Sequence, residues 1–167
     1  MCCSFIGYMN QQEFSHIAQQ HRDDLYRFAI RYTGDDDMAW DAVQEAMIKL
    51  WEHCEEVEQA KAKGYMIRVM YRMLVDQHRS QRRHHRILTE LQGESWYSQH
   101  ENFELHGTMQ QALAQLPQQH RAILLMKDLE GYQYKEIAQL TGLEEMQVAG
   151  ILYRARVNLK KILTDNN

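Results

Sequence analysis

Residues 64–86 combine an apolar stripe with a second stripe of arginines. The apolar side chains recur at steps of three and one, so they share one face of a helix. The arginines recur at steps of four, seven, four and three, which places them together on another face. The apolar stripe is Met66, Val69, Met70, Met73 and Leu74, and the arginine stripe is Arg68, Arg72, Arg79, Arg83 and Arg86. The pattern predicts a helix with one face for a core and the other for a negatively charged partner.

Positive charge is concentrated in this helix. Residues 64–88 hold six arginines and one aspartate, a net charge of +5, whereas the whole chain has a net charge of −4. A basic face suits nucleic acid, although such a face is also common as plain solvated surface. Tyr71 lies beside Arg68 and Arg72, where its ring could stack on an unpaired base or lie at the edge of a core. Both interpretations stay open at this point.

The composition predicts an all-α fold. The chain has one proline and eight glycines, 44% of its residues are hydrophobic, and no alternating apolar and polar runs indicate strands. Residues 89–107 are polar, contain two glycines and have no apolar period, so we expect a flexible linker there. This divides the chain into two small helical domains, a three- to four-helix bundle at 10–88 and a four-helix domain at 108–164.

Capping residues predict the ends of the first two helices. Asn10 with Glu13 forms a capping box, and Gly34 is a natural stop. Asp35 caps a second helix, which we expect to run to about Val57. Its predicted apolar stripe is Ala39, Val43, Met47, Leu50, Trp51 and Cys54, and its predicted exposed face includes Asp41, Gln44, Glu45 and Ile48. An isoleucine among acids favours a protein docking site, although an ordinary acidic surface has the same pattern.

The C-terminal part has the pattern of a helix-turn-helix. We expect a short helix at 108–116, a second helix that has Pro117 in its first turn and ends at Gly131, and a third at 134–140. A turn at 141–143 contains Gly142, and a long last helix runs from Glu144 to about Leu163. The spacing of Ile137, Val148 and their apolar neighbours lets the short helix cross the long one tightly. A plain helical hairpin remains the alternative.

Several other classes of protein are not supported by the sequence. No apolar run of eighteen residues is free of charge, and residues 1–9 lack the pattern of a secretory signal, so we expect a cytoplasmic protein. The three cysteines form no C-x-x-C pair, and His84 and His85 are adjacent on a helix and point apart. No catalytic triad or nucleotide-binding loop is present. We therefore expect no enzyme activity, no cofactor and no metal.

Four segments together resemble the extracytoplasmic-function (ECF) group of bacterial RNA polymerase sigma factors. They are DAVQEAMIKLW at 41–51, GYMIRVMYRMLVDQHRSQRR at 64–83, LPQQHRAILLMKDLEGYQYKEIAQLTGL at 116–143 and YRARVNLKK at 153–161. The resemblance covers nearly the whole chain from about Glu13 to Leu163. Two separate motifs in the right order and at the right distance make it more specific than either motif alone.

The resemblance implies a two-domain transcription initiation factor. The first domain would dock on core RNA polymerase through Asp41, Gln44, Glu45 and Ile48, and its basic helix would open promoter DNA around an extruded base. The second domain would place its last helix in the major groove of the upstream promoter element. The implied DNA-binding residues are Arg68, Tyr71, Arg72, Arg79, Arg82, Arg83, Arg86, Tyr134, Lys135, Gln147, Arg154 and Arg156. An anti-sigma factor would hold the free protein inactive.

The chain departs from the family pattern at two places. Arg72 stands where an asparagine is usual, and Gln147 to Ile151 replace a common Thr-Val-Lys-Ser-Arg run, which removes basic contacts at three positions. We therefore expect a promoter specificity of its own. Two other functions stay open, a sigma-like adaptor with weakened DNA readout and a free-standing helix-turn-helix regulator.

Overall fold

The protein is described here by a computed structural model that covers residues 10–75 and 107–165, and within these ranges it is helical with no strand. The prediction of an all-α fold is confirmed. The helices are α1 (Gln11–Thr33), α2 (Asp36–Glu52), α3 (62–75), α4 (Thr108–Gln115), α5 (Gln118–Asp128), α6 (Tyr134–Thr141) and α7 (Glu145–Asp165), and a 3-10 helix spans Gln59–Lys61. Apart from Gly107, the predicted linker lies outside the described residues.

The capping residues end the first helices as predicted. The Asn10 side-chain oxygen accepts hydrogen bonds from the backbone N–H groups of Gln12 and Glu13 at 3.0 and 2.9 Å, and the Glu13 carboxylate accepts from the Asn10 N–H at 2.8 Å. Gly34 closes α1 with a φ of 68°, which only glycine adopts at little cost. The Asp35 carboxylate accepts from the Met38 N–H at 2.8 Å and starts α2. These contacts fix the tight corner between α1 and α2.

The second helix is shorter than predicted. It ends at Glu52 rather than near Val57, because Cys54 and Val57 pack against the core from a turn that reverses the chain toward α3. The prediction for Trp51 was also wrong. Its ring is 45% exposed and packs edge-on against Phe14, with the ring centroids 5.0 Å apart. The buried stripe of α2 is Ala39, Ala42, Val43, Ala46 and Leu50. Small alanines let α1 approach α2 closely, which leaves Trp51 at the rim.

The third helix is buried over a wider face than its sequence stripe predicts. Met66, Ile67, Met70, Tyr71, Leu74 and Val75 are all buried. The reason is that α3 is covered from two directions. The N-terminal half of the protein (α1–α3) supplies one set of neighbours, and the C-terminal half (α4–α7) supplies the other, through Gln119 against Tyr71 and Leu140 beside Gly64. The buried side chains of the two halves form one continuous apolar core.

The C-terminal helices have the predicted helix-turn-helix arrangement. Gly142 has a φ of 74° in the turn between α6 and α7, and Ile137, Val148 and Ile151 are buried where these helices cross. Pro117 immediately precedes α5 rather than lying in its first turn, and α5 ends at Asp128. No helix within the described ranges is both long and apolar enough to span a bilayer.

The two glycines of this motif predict opposite changes in stability. Gly142→Ala should destabilise the protein by about 1–2 kcal/mol, because a Cβ is disfavoured at positive φ. Gly150→Ala should stabilise it by about 0.5–1 kcal/mol, because Gly150 lies inside α7 and a Cβ there would meet only the Arg154 side chain at 3.9 Å. Urea unfolding measures both changes. Equal effects of the two substitutions would contradict the assigned turn.

Candidate protein and nucleic-acid interfaces

An open groove between α2 and α3 brings together all four residues predicted to dock on a protein partner. Asp41, Gln44, Glu45 and Ile48 line its α2 side, and the groove is completed by Lys49, Tyr65, Val69, Arg72 and Met73. We call this the α2–α3 groove. Ile48 is 50% exposed, so an apolar side chain stands between carboxylates at the surface. An exposed apolar centre with a charged rim is typical of a protein interface.

The charges around this groove are partly fixed by local pairs. The Lys49 ammonium donates to the Glu52 carboxylate at 2.7 Å, which raises the pKa of Lys49 and lowers the pKa of Glu52. Burial raises the pKa of the Tyr65 phenol. Asp41 and Gln44 are exposed, and no described side chain is recorded as bonded to either. These two side chains can therefore bind a partner without first breaking a contact described here.

Two tryptophans extend the exposed face of α2 and were missed as functional candidates. Trp40, Gln44, Ile48 and Trp51 follow one another at steps of four, four and three, which places them in one row on the helix. Trp40 is 41% exposed and stacks on Tyr26 with centroids 4.5 Å apart. Trp51 is held against Phe14 in the same way. Aromatic rings fixed on one side and open on the other are common anchors in interfaces. The helical spacing alone could have found this row.

The predicted DNA-binding residues of α3 do not share one environment. Arg68 and Arg72 are exposed, and Arg72 also lines the α2–α3 groove beside the docking residues. Tyr71 is only 7% exposed, and its hydroxyl accepts a hydrogen bond from the Gln119 amide at 3.4 Å. Of its two interpretations, this arrangement has Tyr71 as a core-edge residue. Arg79, Arg82, Arg83 and Arg86 lie outside the described residues.

Among the predicted DNA-binding residues of the C-terminal half, Gln147 is constrained by its own helix. Its side-chain oxygen accepts from the Glu144 N–H at 3.0 Å and so caps the start of α7. A glutamine that recognises adenine uses both its oxygen and its amide nitrogen. Here the oxygen is already bonded, which leaves the amide N–H groups for a base edge. Tyr134 and Lys135, at the start of α6, are exposed, and the Lys127 ammonium lies 5.1 Å from the Tyr134 ring centroid.

Arg154 and Arg156 differ although both are exposed on α7. Arg156 forms a two-point contact with Asp128 of α5, with Nη2 to Oδ1 at 2.6 Å and Nε to Oδ2 at 3.3 Å. This hydrogen bonding raises the pKa of Arg156. Arg156 therefore ties α7 to α5, whereas among the described residues no acidic side chain is within ion-pair distance of Arg154. The sequence could not separate these two roles, because Asp128 lies 28 residues away.

The predicted absence of a metal site can be examined in part. No group of three or more His, Cys, Asp or Glu side chains within 10–75 and 107–165 is arranged to hold a metal ion. The histidines at 78, 84 and 85, considered as ligands from the sequence, lie outside these ranges.

Comparison with known proteins gives the family. The family model of Sigma-70 region 2 matches residues 17–84, and the model of Sigma-70, region 4 matches residues 106–159. The ECF RNA polymerase sigma factor SigL of Mycobacterium tuberculosis is 30% identical over 146 residues, which cover 83% of this chain and 82% of SigL. The chain belongs to the ECF sigma factors. SigM of Bacillus subtilis, another ECF sigma factor, is 25% identical over 150 residues, covering 87% of this chain and 92% of SigM.

The fold of this sigma factor is also that of a solved relative. The sigma factor RpoE of Bartonella quintana, crystallised with the anti-sigma factor NepR, superposes with a TM-score of 0.68 at 21% identity, covering 94% of this chain and 98% of RpoE. The protein is thus a transcription initiation factor that directs RNA polymerase to promoters, as the sequence resemblance implies. The α2–α3 groove lies within the region 2 match, and the helix-turn-helix lies within the region 4 match.

The two arginines of α7 should respond differently to substitution. Arg154→Ala should lower affinity for the upstream promoter element and reduce the salt slope of binding by about 1, as expected for one lost phosphate contact. Its unfolding free energy should change by less than about 0.5 kcal/mol. Arg156→Ala should lower stability by up to about 1 kcal/mol, the range for an exposed ion pair. Binding titrations at several salt concentrations, paired with urea unfolding, measure both. Equal losses of stability would contradict the distinction.

Proposed function

We propose that the α2–α3 groove is the surface through which this sigma factor docks on core RNA polymerase. The observation that carries the proposal is the convergence of Asp41, Gln44, Glu45 and Ile48 in one groove whose exposed row continues to fixed tryptophans at both ends. Exposed carboxylates suit a basic partner surface, and Ile48 with the tryptophans supplies apolar area for the centre of a stable interface.

We further propose that residues 10–88 and 108–164 act as two functional domains joined by the linker at 89–107. The basic face of the third helix, including Arg68, would hold promoter DNA near the start site, and Tyr71 would stack on an unpaired base. The second domain would contact the upstream element through α6 and α7, with Lys135 and Arg154 on the phosphates. Docking on polymerase first would allow a chain of net charge −4 to act on DNA, because the polymerase would bring it to the promoter.

An anti-sigma partner is part of the proposal. The Bartonella quintana relative was crystallised with the anti-sigma factor NepR, and its fold is similar over nearly the whole chain. A protein that covers the α2–α3 groove would compete directly with polymerase. The sigma factor would act in the cytoplasm, where RNA polymerase is, as an initiation factor and not as an enzyme.

A second candidate function, a sigma-like adaptor with weak DNA readout, is favoured by the surface of α7. Met146 is 84% exposed at the end of the helix that would enter the major groove, and Glu144 and Glu145 lie beside it. Acidic side chains there repel phosphates. Normal binding to core polymerase without promoter-dependent transcription would support this candidate over the first.

A double substitution tests the docking groove. Asp41→Ala with Gln44→Ala should weaken binding to core polymerase about tenfold or more, because interface residues near the centre dominate affinity. Stability should change by less than about 0.5 kcal/mol, because both side chains are exposed. Fluorescence anisotropy with labelled protein and core enzyme measures the affinity.

The matched control is Gln20→Ala with Asp23→Ala. This pair has the same residue types at the same spacing and is exposed on α1 outside the groove. It should leave core binding unchanged. Equal weakening by the two double variants, or an unchanged affinity in the groove variant, would contradict the assigned docking surface.

A further inference from the structure

A lysine at the start of α3 connects the two halves of the protein. The Lys63 ammonium lies 2.8 Å from the Asp24 carboxylate of α1 and 2.9 Å from the Glu130 carboxylate, which follows α5 in the C-terminal half. The Glu130 side chain is only 3% exposed. A carboxylate so removed from water is costly unless it is paired. Within the described residues its recorded ion-pair partner is Lys63.

Arg121 of α5 makes a second connection between the halves. Its guanidinium donates to the backbone oxygen of Tyr32 in α1 at 2.7 Å and lies 5.3 Å from the Tyr32 ring centroid. The same group donates to the Ala114 and Leu116 oxygens at 2.6 and 3.3 Å. Burial raises the pKa of Tyr32 to about 12 and lowers the pKa of Arg121. The contact is therefore well shielded from water.

A third contact repeats this arrangement at the end of α1. The Gln110 amide of α4 donates to the backbone oxygens of Ile30 and Arg31 at 3.2 and 3.0 Å. These carbonyls lie in the last turn of α1. All three connections join the part of the chain matched by the region 2 model to the part matched by the region 4 model.

The joined arrangement treats the two proposed working surfaces differently. The α2–α3 groove stays open, with Asp41, Gln44 and Ile48 exposed. Tyr71 is covered, and its hydroxyl is bonded to Gln119 of α5. A ring with 7% exposure cannot offer a face to a base. Polymerase can therefore reach its surface while promoter DNA cannot reach Tyr71.

We propose that the Lys63–Glu130 ion pair and the Arg121–Tyr32 contact hold the free sigma factor in a closed form, which docks on polymerase but must open before it can melt a promoter. The inference rests on the proposed roles of the groove and of Tyr71. Lys63 controls the balance because Glu130 needs it in the closed form and is free to be hydrated in an open one. Removing the ammonium therefore shifts the population toward the open form.

Distances between the halves test the closed form without polymerase or DNA. In the full chain with Cys2, Cys3 and Cys54 changed to serine, nitroxide labels are placed at the exposed Gln19 of α1 and Gln139 of α6. Pulsed electron paramagnetic resonance should give one short distance for this protein. Lys63→Met should move most of the population to longer distances, while Lys63→Arg should keep the short one. Identical distributions for Lys63→Met and the parent protein would overturn the proposal.

The matched control is Lys61→Met. This lysine lies two residues away and pairs only locally with Glu58 at 2.8 Å, with both side chains more than half exposed. Its substitution removes the same charge but no contact between the halves, so the short distance should persist. Circular dichroism of each variant separates opening from unfolding, because opening keeps the helices intact. A loss of the short distance in Lys61→Met as large as in Lys63→Met would count against the ion pair.

A reversible lock tests whether opening is needed for function. A Cβ on Gly64 would lie 3.8 Å from the Leu140 side chain, so Gly64→Cys and Leu140→Cys can be joined by a short reducible cross-linker. The bridged protein should bind core polymerase normally yet give about tenfold or less of the open promoter complex, with recovery on reduction. Permanganate reactivity of unpaired thymines measures the open complex. Equal promoter opening before and after reduction would overturn the proposal. Failure of both forms to bind core enzyme would instead contradict the docking function, and the label distances would still decide whether the closed form exists.

Discussion

One continuous apolar core joins the N-terminal and C-terminal halves, and the rest of the structure depends on it. Because α3 is covered on both sides, polar groups at the edges of the contact are withdrawn from water and need partners. Lys63 meets Asp24 and Glu130, and Arg121 meets backbone oxygens and the Tyr32 ring. Such pairs add less to stability than the apolar area does, but each is costly to break on one side only. They therefore fix how the halves meet.

This arrangement orders the steps of initiation. The groove that we assign to polymerase lies on the outer side of α2 and α3 and is open in the closed protein. The side chain that we assign to an unpaired base lies between the halves. A sigma factor built in this way would bind promoter DNA poorly alone and would gain its DNA-binding surface after docking. An acidic net charge is no obstacle under this order, because polymerase supplies the encounter with DNA.

Local sequence signals predicted much of this structure. The caps at Asn10 and Asp35 and the turn at Gly142 depend on neighbours within a few residues, so their chemistry can be found in the sequence. The row of docking residues on α2 follows from helical spacing alone. The burial of Tyr71, the pairing of Arg156 with Asp128 and the exposure of Trp51 were not predictable in this way. Each depends on a contact between segments far apart in the chain, which periodicity does not contain. The capping role of Gln147 was local but was hidden by its resemblance to a base-reading side chain.

The most direct test of the closed form is a photo-cross-link from position 71. With p-azidophenylalanine in place of Tyr71, irradiation of the free protein should link this position to the α5 peptide that contains Gln119. In the complex with core polymerase and promoter, the link should move to DNA. Cross-linking to α5 that persists undiminished in an open promoter complex, or that is absent in the free protein, would contradict the account.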